Sequence, residues 1–168
     1  MRTVSFHFNF NVFRATLAGA AAMLTLTAPG ASAQMVQASD MDTVVAALQD
    51  YGLRATLETS SSGRPIIRSA ASGVNFTIYF YGCTTQHTDC ESINFSAGFD
   101  LEDGTTFPII NEWNETKLVG RAYLDDEMDP YLDHYVEIMS GLSRDVFNEV
   151  LSMWEESLGN FATHVGYH

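Results

Sequence analysis

Residues 74–100 read VNFTIYFYG-C-TTQHTD-C-ESINFSAGFD, two aromatic and β-branched runs around a pair of cysteines. In the first run Phe76, Ile78 and Phe80 alternate with Asn75, Thr77, Tyr79 and Tyr81; in the second, Ile93, Phe95 and Ala97 recur at every other position. Successive side chains of a strand point to opposite faces, so each run is a strand with one apolar face. Six residues separate Cys83 from Cys90. That spacing suits a cross-strand bridge just before a hairpin loop. The compact C-x-x-C spacing of redox-active pairs is absent. Cys83, His87 and Cys90 also form C-x3-H-x2-C, a partial zinc pattern with no fourth ligand nearby.

Outward from this hairpin the punctuation is regular. On its N-terminal side, Ser39 can cap a helix with Asp42 three residues on, and Met41, Val44, Val45 and Leu48 recur at helical spacing until Gly52. Residues 54–59 and 65–69 read as strands around the turn Ser60-Ser61-Ser62-Gly63. On the C-terminal side, the turn Asp103-Gly104 leads to a helix capped by Thr106, with Pro108 in its first turn and Ile109, Ile110, Trp113 and Leu118 as its stripe. Residues 119–124 and 131–138 are two further strands. Ser143 caps a last helix whose wide apolar face is Val146, Phe147, Val150, Leu151, Trp154, Leu158 and Phe161. The order α-ββββ-α-ββ-α predicts an α+β domain, a single mostly antiparallel sheet of five to six strands flanked by helices.

The beginning of the chain reads as an export signal. Arg2 and Arg14 are basic, residues 15–27 are apolar, Pro29-Gly30 breaks the run, and Ala31-Ser32-Ala33 is an A-x-A cleavage site. The expected division is a cleaved signal over 1–33, a short extension over 34–39 and one domain over 40–168. Removing 33 of 168 residues leaves 135, enough for one hydrophobic core. The mature chain would start at Gln34 and reach the periplasm or the exterior, where cysteines oxidise. No later stretch is long and apolar enough to insert in a membrane. Losing Arg2 and Arg14 leaves 6 basic against 21 acidic residues, a net charge of −15. Such a surface repels nucleic acid and anionic membrane.

No catalytic constellation emerges, and no cofactor motif. His134 lies beside Asp133, but strand neighbours point to opposite faces, which argues against a working pair. His164 and His168 fall in the tail and read as exposed. Neither a nucleophile elbow nor a Gly-rich phosphate loop is present. Asp125, Asp126, Glu127, Asp129 and Asp133 offer oxygen ligands to a hard cation, with Asp125, Asp126, Asp129 and Asp133 the candidates. The calcium-loop pattern is broken at Met128 and Pro130, and a solvated turn suits the segment better. Trp113 belongs in the helix–sheet core. Arg121 and Tyr123 fit either a recognition patch or a structural pair. With Asp125 they are the candidate partner-binding residues.

The segments NFTIYFYGC (75–83), INFSAGFD (93–100), INEWN (110–114), GRAYLDDEMDP (120–130) and WEESLGNF (154–161) together resemble the YbjN-domain family of bacterial proteins. The resemblance spans about residues 40–161. It implies a fold similar to type III secretion chaperones, which are small, acidic, often dimeric and bind polypeptide segments. Those chaperones are cytoplasmic, whereas this chain carries an export signal. The family is described as a sensory-transduction regulator, which names no reaction and no catalytic residue. The resulting expectation is a non-enzymatic exported module that engages a protein or peptide partner and can pair as a homodimer. A metal-dependent function on residues 125–133 is the competing expectation.

Overall fold

The structure, a computed structural model, describes residues 35–168. The expected signal peptide, residues 1–33, lies outside the described residues. The elements are α1 (Met41–Tyr51), β1 (Ala55–Thr59), β2 (Pro65–Ala71), β3 (Val74–Tyr81), β4 (Ser92–Gly98), α2 (Phe107–Thr116), β5 (Arg121–Leu124), β6 (Pro130–Glu137) and α3 (Arg144–Val165). All six strands join one sheet in the order β1-β2-β3-β4-β6-β5, and every neighbouring pair is antiparallel. The expected α-ββββ-α-ββ-α order and α+β class are therefore observed.

Local chemistry sets the turns. Ser72 and Gly73 both have positive φ, 51° and 79°. Two left-handed residues match the twist of the flanking strands and close the β2–β3 hairpin in two residues. Val74 follows at once and restores the period of two. Cys83 and Cys90 are joined by a disulfide across the β3–β4 loop, with Cα atoms 3.9 Å apart.

The three helices of the described residues pack on one face of the sheet. Phe76, Ile78, Ile93, Phe95 and Leu132 project from the strands into Leu48, Phe147, Leu151, Trp154, Leu158 and Phe161. Trp154 is the centre of this layer, with ring centroids 5.6 Å from Phe76 and 5.5 Å from Phe95. Trp113 packs 4.9 Å from Phe161 and donates Nε1–H to the Gly120 carbonyl at 2.9 Å, tying α2 to the entrance of β5. The stretch 35–39 packs into the same layer. Val36 and Leu142 exchange both backbone hydrogen bonds, at 2.8 and 3.0 Å, and Val36 and Ala38 are fully buried.

Four local expectations are corrected. The cap of α1 is Asp40 rather than Ser39, and its side chain makes no cap bond; instead the Thr43 hydroxyl accepts from Gln37 N–H and donates to Asp40 O. Leu118 lies beyond the end of α2 and is fully exposed, because Lys117 is already extended. Val146 is half exposed: as the first-turn residue whose N–H donates to the Ser143 cap, it sits on the outer side of α3. His164 belongs to the last turn of α3, not to a free tail; its ring lies 5.6 Å from Trp113 and Nε2 is 2.8 Å from the Ile109 carbonyl.

Candidate functional site

Among the described residues no helix covers the second face of the sheet. Its side chains fall in rows set by the strand registers. One row runs Arg68, Thr77, Ser96, Asp133, Arg121 across five strands. Arg68 Nη1 donates to Thr77 Oγ1 at 2.8 Å, and Arg121 Nη2 donates to Asp133 Oδ2 at 2.9 Å. The row is polar along its length and has a guanidinium near each end. On one side lies the row Gly98, Tyr131, Tyr123; on the other lie Ile66, Tyr79, Asn94, Tyr135 and then Tyr81, Ser92, Glu137. Five of the seven tyrosines of the chain thus share one face. Tyrosine and arginine supply large, stiff, amphipathic contact area, and they dominate binding hot spots.

Glycine shapes this face at one point. A Cβ on Gly98 would lie 2.7 Å from the Tyr131 ring, so only glycine lets that ring lie flat on β4. Tyr131 then stacks on Tyr123, centroids 5.3 Å apart and planes 18° apart, and the Arg121 guanidinium sits 5.2 Å above Tyr123. Burial pushes the Tyr123 hydroxyl above its ordinary range, and the Asp133 carboxylate pushes it further. Burial raises Tyr131 too, followed by Asp125 and Asp129. Both hydroxyls therefore stay neutral, able to donate and to accept. Two concavities open on this face. One, of about 550 Å³, lies between Arg68, Tyr79 and Tyr131; the other, of about 540 Å³, lies between Tyr81, Arg121 and Tyr135.

The residues singled out in the sequence separate into two groups. Arg121, Tyr123 and Asp133 meet on the uncovered face. Asp133 is mostly buried there, and its Oδ1 has no hydrogen-bond partner among the described residues. Asp125 and Asp129 instead hold the β5–β6 turn. Asp125 Oδ1 accepts the N–H groups of Glu127 and Asp129, each at 2.9 Å, and Asp129 Oδ1 accepts from Leu101 N–H at 3.0 Å. Among the described residues no three His, Cys, Asp or Glu side chains converge on a point that could hold a metal. Cys83 and Cys90 are bonded to each other, and His87 lies in the loop they close. His134 points away from Asp133, into the helix side, 6.2 Å from the Phe95 ring. Burial lowers its pKa below the ordinary 6.5, so the imidazole is neutral at pH 7. Among the described residues no helix is long and apolar enough to cross a membrane.

Sequence reasoning placed Tyr79 and Tyr81 opposite Phe76, Ile78 and Phe80 but did not single them out. Arg68 and Tyr135 were missed. The signal for Tyr79, Tyr81 and Tyr135 was present in the alternation: tyrosines held repeatedly at the solvent positions of amphipathic strands.

Comparison with known proteins places the fold in a group. No curated protein matches the chain. Among solved structures, the crystal structure of YbjN, described as "a putative transcription regulator from E. coli", is similar with a TM-score of 0.54 and 16% identity, over 74% of this chain and 89% of that one. At that identity the likeness speaks for the fold. The model of one protein family, described as "putative bacterial sensory transduction regulator", matches residues 40–166. With the sheet order, the helix layer and the matched span agreeing, the chain belongs to the YbjN family.

Proposed function

We propose that this protein is an exported, non-enzymatic binding module of the bacterial periplasm whose uncovered sheet face engages a protein partner. The observation that carries the reading is the face itself: five tyrosines and two arginines along and beside a polar row, with no helix of the described residues over them. A sheet face left bare for solubility alone would favour short polar or charged side chains over large rings. Tyrosine presents an apolar ring and a polar tip at low entropy cost, the composition of protein-recognition surfaces. The disulfide is consistent with an oxidising compartment, and the family's description as a regulator with a binding role.

The test is affinity capture from periplasmic extract with crosslinking. The wild-type protein is compared with a variant carrying Tyr79→Ser, Arg121→Ser and Tyr135→Ser; because Arg121→Ser unpairs the mostly buried Asp133 carboxylate, the fold of the variant is checked by circular dichroism before capture. A partner retained by the wild type and lost with the variant supports the reading. Equal capture by both, or capture of nothing by a strictly monomeric protein, refutes it. The mature mass checks export, and a chain beginning at Gln34 is expected.

A further inference from the structure

β6 is twice as long as the strand beside it. It runs from Pro130 to Glu137, whereas β5 opposes only Pro130 to Asp133. The hydrogen-bond phase of β6 follows from its flanking bonds. Ile138 N–H donates to Glu91 O at 3.1 Å and Phe99 N–H to Pro130 O at 2.9 Å, so the even-numbered residues face β4. Asp125 N–H donates to Asp129 O at 3.0 Å, so the odd-numbered residues face β5. Beyond the start of β5, the backbone N–H and C=O of Tyr135 and Glu137 therefore point outward, and among the described residues no backbone or side-chain group bonds them. The edge of β5 is capped at Ala122. The Asn114 side chain accepts from Ala122 N–H at 2.9 Å and donates to Ala122 O at 3.0 Å, as a strand would. On this side of the sheet, opposite the outer edge of β1, the notch remains open, and a cavity of about 430 Å³ lies in it, bordered by Lys117, Leu118, Arg121, Asp133 and Tyr135.

The geometry points to a site for the extended carboxyl-terminal tail of a partner polypeptide, which adds to the sheet as a continuation of β5. This inference rests on the protein-binding reading above and specifies its mode. A segment in line with β5 runs antiparallel to β6, so it ends with its carboxylate against the beginning of β5. Two of the six basic residues outside the signal, Lys117 and Arg121, border the cavity at that end. Arg121 is mostly exposed and commits only Nη2 to Asp133, which leaves donors for a second carboxylate. An internal segment would have to turn away there and would offer these cations no charge. Continuing the β5 register, the last residue of the tail pairs with Tyr135, the one before it lies beside half-buried Val136, and the third from the end pairs with Glu137. The tail accordingly carries a large apolar or aromatic last residue, an aliphatic second and a basic third.

Two displayed libraries of random heptapeptides test this on the full disulfide-bonded protein, one ending in a free carboxylate and one with the same segments embedded internally. The expected winners come from the free-carboxylate library with the stated pattern. A winning peptide should bind at least tenfold more weakly as its amide, and should slow hydrogen exchange at the Tyr135 and Glu137 amides. Glu137→Pro removes the outward N–H together with the carboxylate that accepts from the Tyr135 hydroxyl and Met139 N–H, and should abolish binding, while Glu137→Gln, which loses only the charge and keeps the N–H, keeps most of it. Winners that leave both amides unprotected and bind the Glu137→Pro variant normally would overturn the notch and leave the sheet-face reading standing. Protection that grows with protein concentration and needs no peptide would assign the edge to a second copy, against the proposal. Enrichment from neither library would also overturn it, and the sheet-face reading would then rest on its own capture experiment.

Discussion

Breaking the Cys83–Cys90 bond should destabilise the domain by about 2.5 kcal/mol. The two cysteines are seven positions apart, so the closed loop is short, and the chain-entropy relation gives that value at 25 °C. Part of the native loop persists without the bond. Thr84 N–H donates to Thr88 O at 2.8 Å, His87 N–H donates to Thr84 O at 2.9 Å, and the Thr84 and Thr88 hydroxyls are 2.9 Å apart. These bonds hold the turn in the folded state but do not shorten the unfolded chain, so the entropic cost of losing the crosslink stays whole. Cys90 is buried, so the Cys83→Ala, Cys90→Ala variant adds only a small cavity. The assay is urea unfolding of the oxidised protein, the reduced protein and the double variant. For a domain of this size the loss corresponds to a fall in Tm of roughly 8–10 °C. The reduced protein and the double variant should fall together. A loss below about 1 kcal/mol would refute the reasoning, because it would mean that the unfolded loop is already closed by other contacts.

Further outcomes concern the sheet edge and the core. Asn114→Ala leaves the N–H and C=O of Ala122 without their partners and should cost about 1–3 kcal/mol in urea unfolding. The same variant uncovers the edge of β5, so concentration-dependent association should appear in sedimentation. His134 is buried neutral, so the unfolded state binds its proton more readily than the folded state does. The stability it contributes is fully present above pH 6.5 and is lost as pH falls from 6.5 through the lowered value. His134→Leu should remove that pH-dependent component, and an unchanged difference between wild type and variant from pH 7 to pH 5 would contradict the assignment. Gly98→Ala should displace the Tyr131 ring and change its stacking on Tyr123, read as an altered near-ultraviolet circular dichroism signal with a modest loss of stability.

Most of the fold was legible because its strands are amphipathic and its turns are chemically marked. The run Val74–Tyr81 was bounded to the residue, since Gly73 and Gly82 flank an uninterrupted alternation. The misplacements share a cause: local periodicity continues past the point where tertiary geometry stops it. Leu118 fits the spacing of α2, but the chain must leave the helix at Lys117 so that Gly120 can pass under Leu132, where a Cβ would lie 2.8 Å from Cδ1. His164 looked like tail because Trp113 and Ile109, its partners, are more than fifty positions away. The uncovered face shows the same limit. That Tyr79 and Tyr81 oppose the apolar side could be read from the alternation, and Arg121 and Tyr123 were candidates. The row from Arg68 to Arg121 could not be read, because it exists only once β6 inserts between β4 and β5. Asp125 and Asp129 read better as turn residues than as ligands, but the backbone N–H groups that occupy their oxygens could not be read from the sequence.

Photo-crosslinking from single sites tests the central claim most directly. A benzophenone amino acid is placed at Tyr79 or Tyr135 on the uncovered face, or at Met153 on the outer side of α3, and the protein is irradiated in the cells that produce it. The face positions should form a discrete adduct with another polypeptide, absent with Arg121→Ser, while Met153 forms none. Adducts from Met153 alone, or equal adducts from all three positions, would contradict recognition through the sheet face.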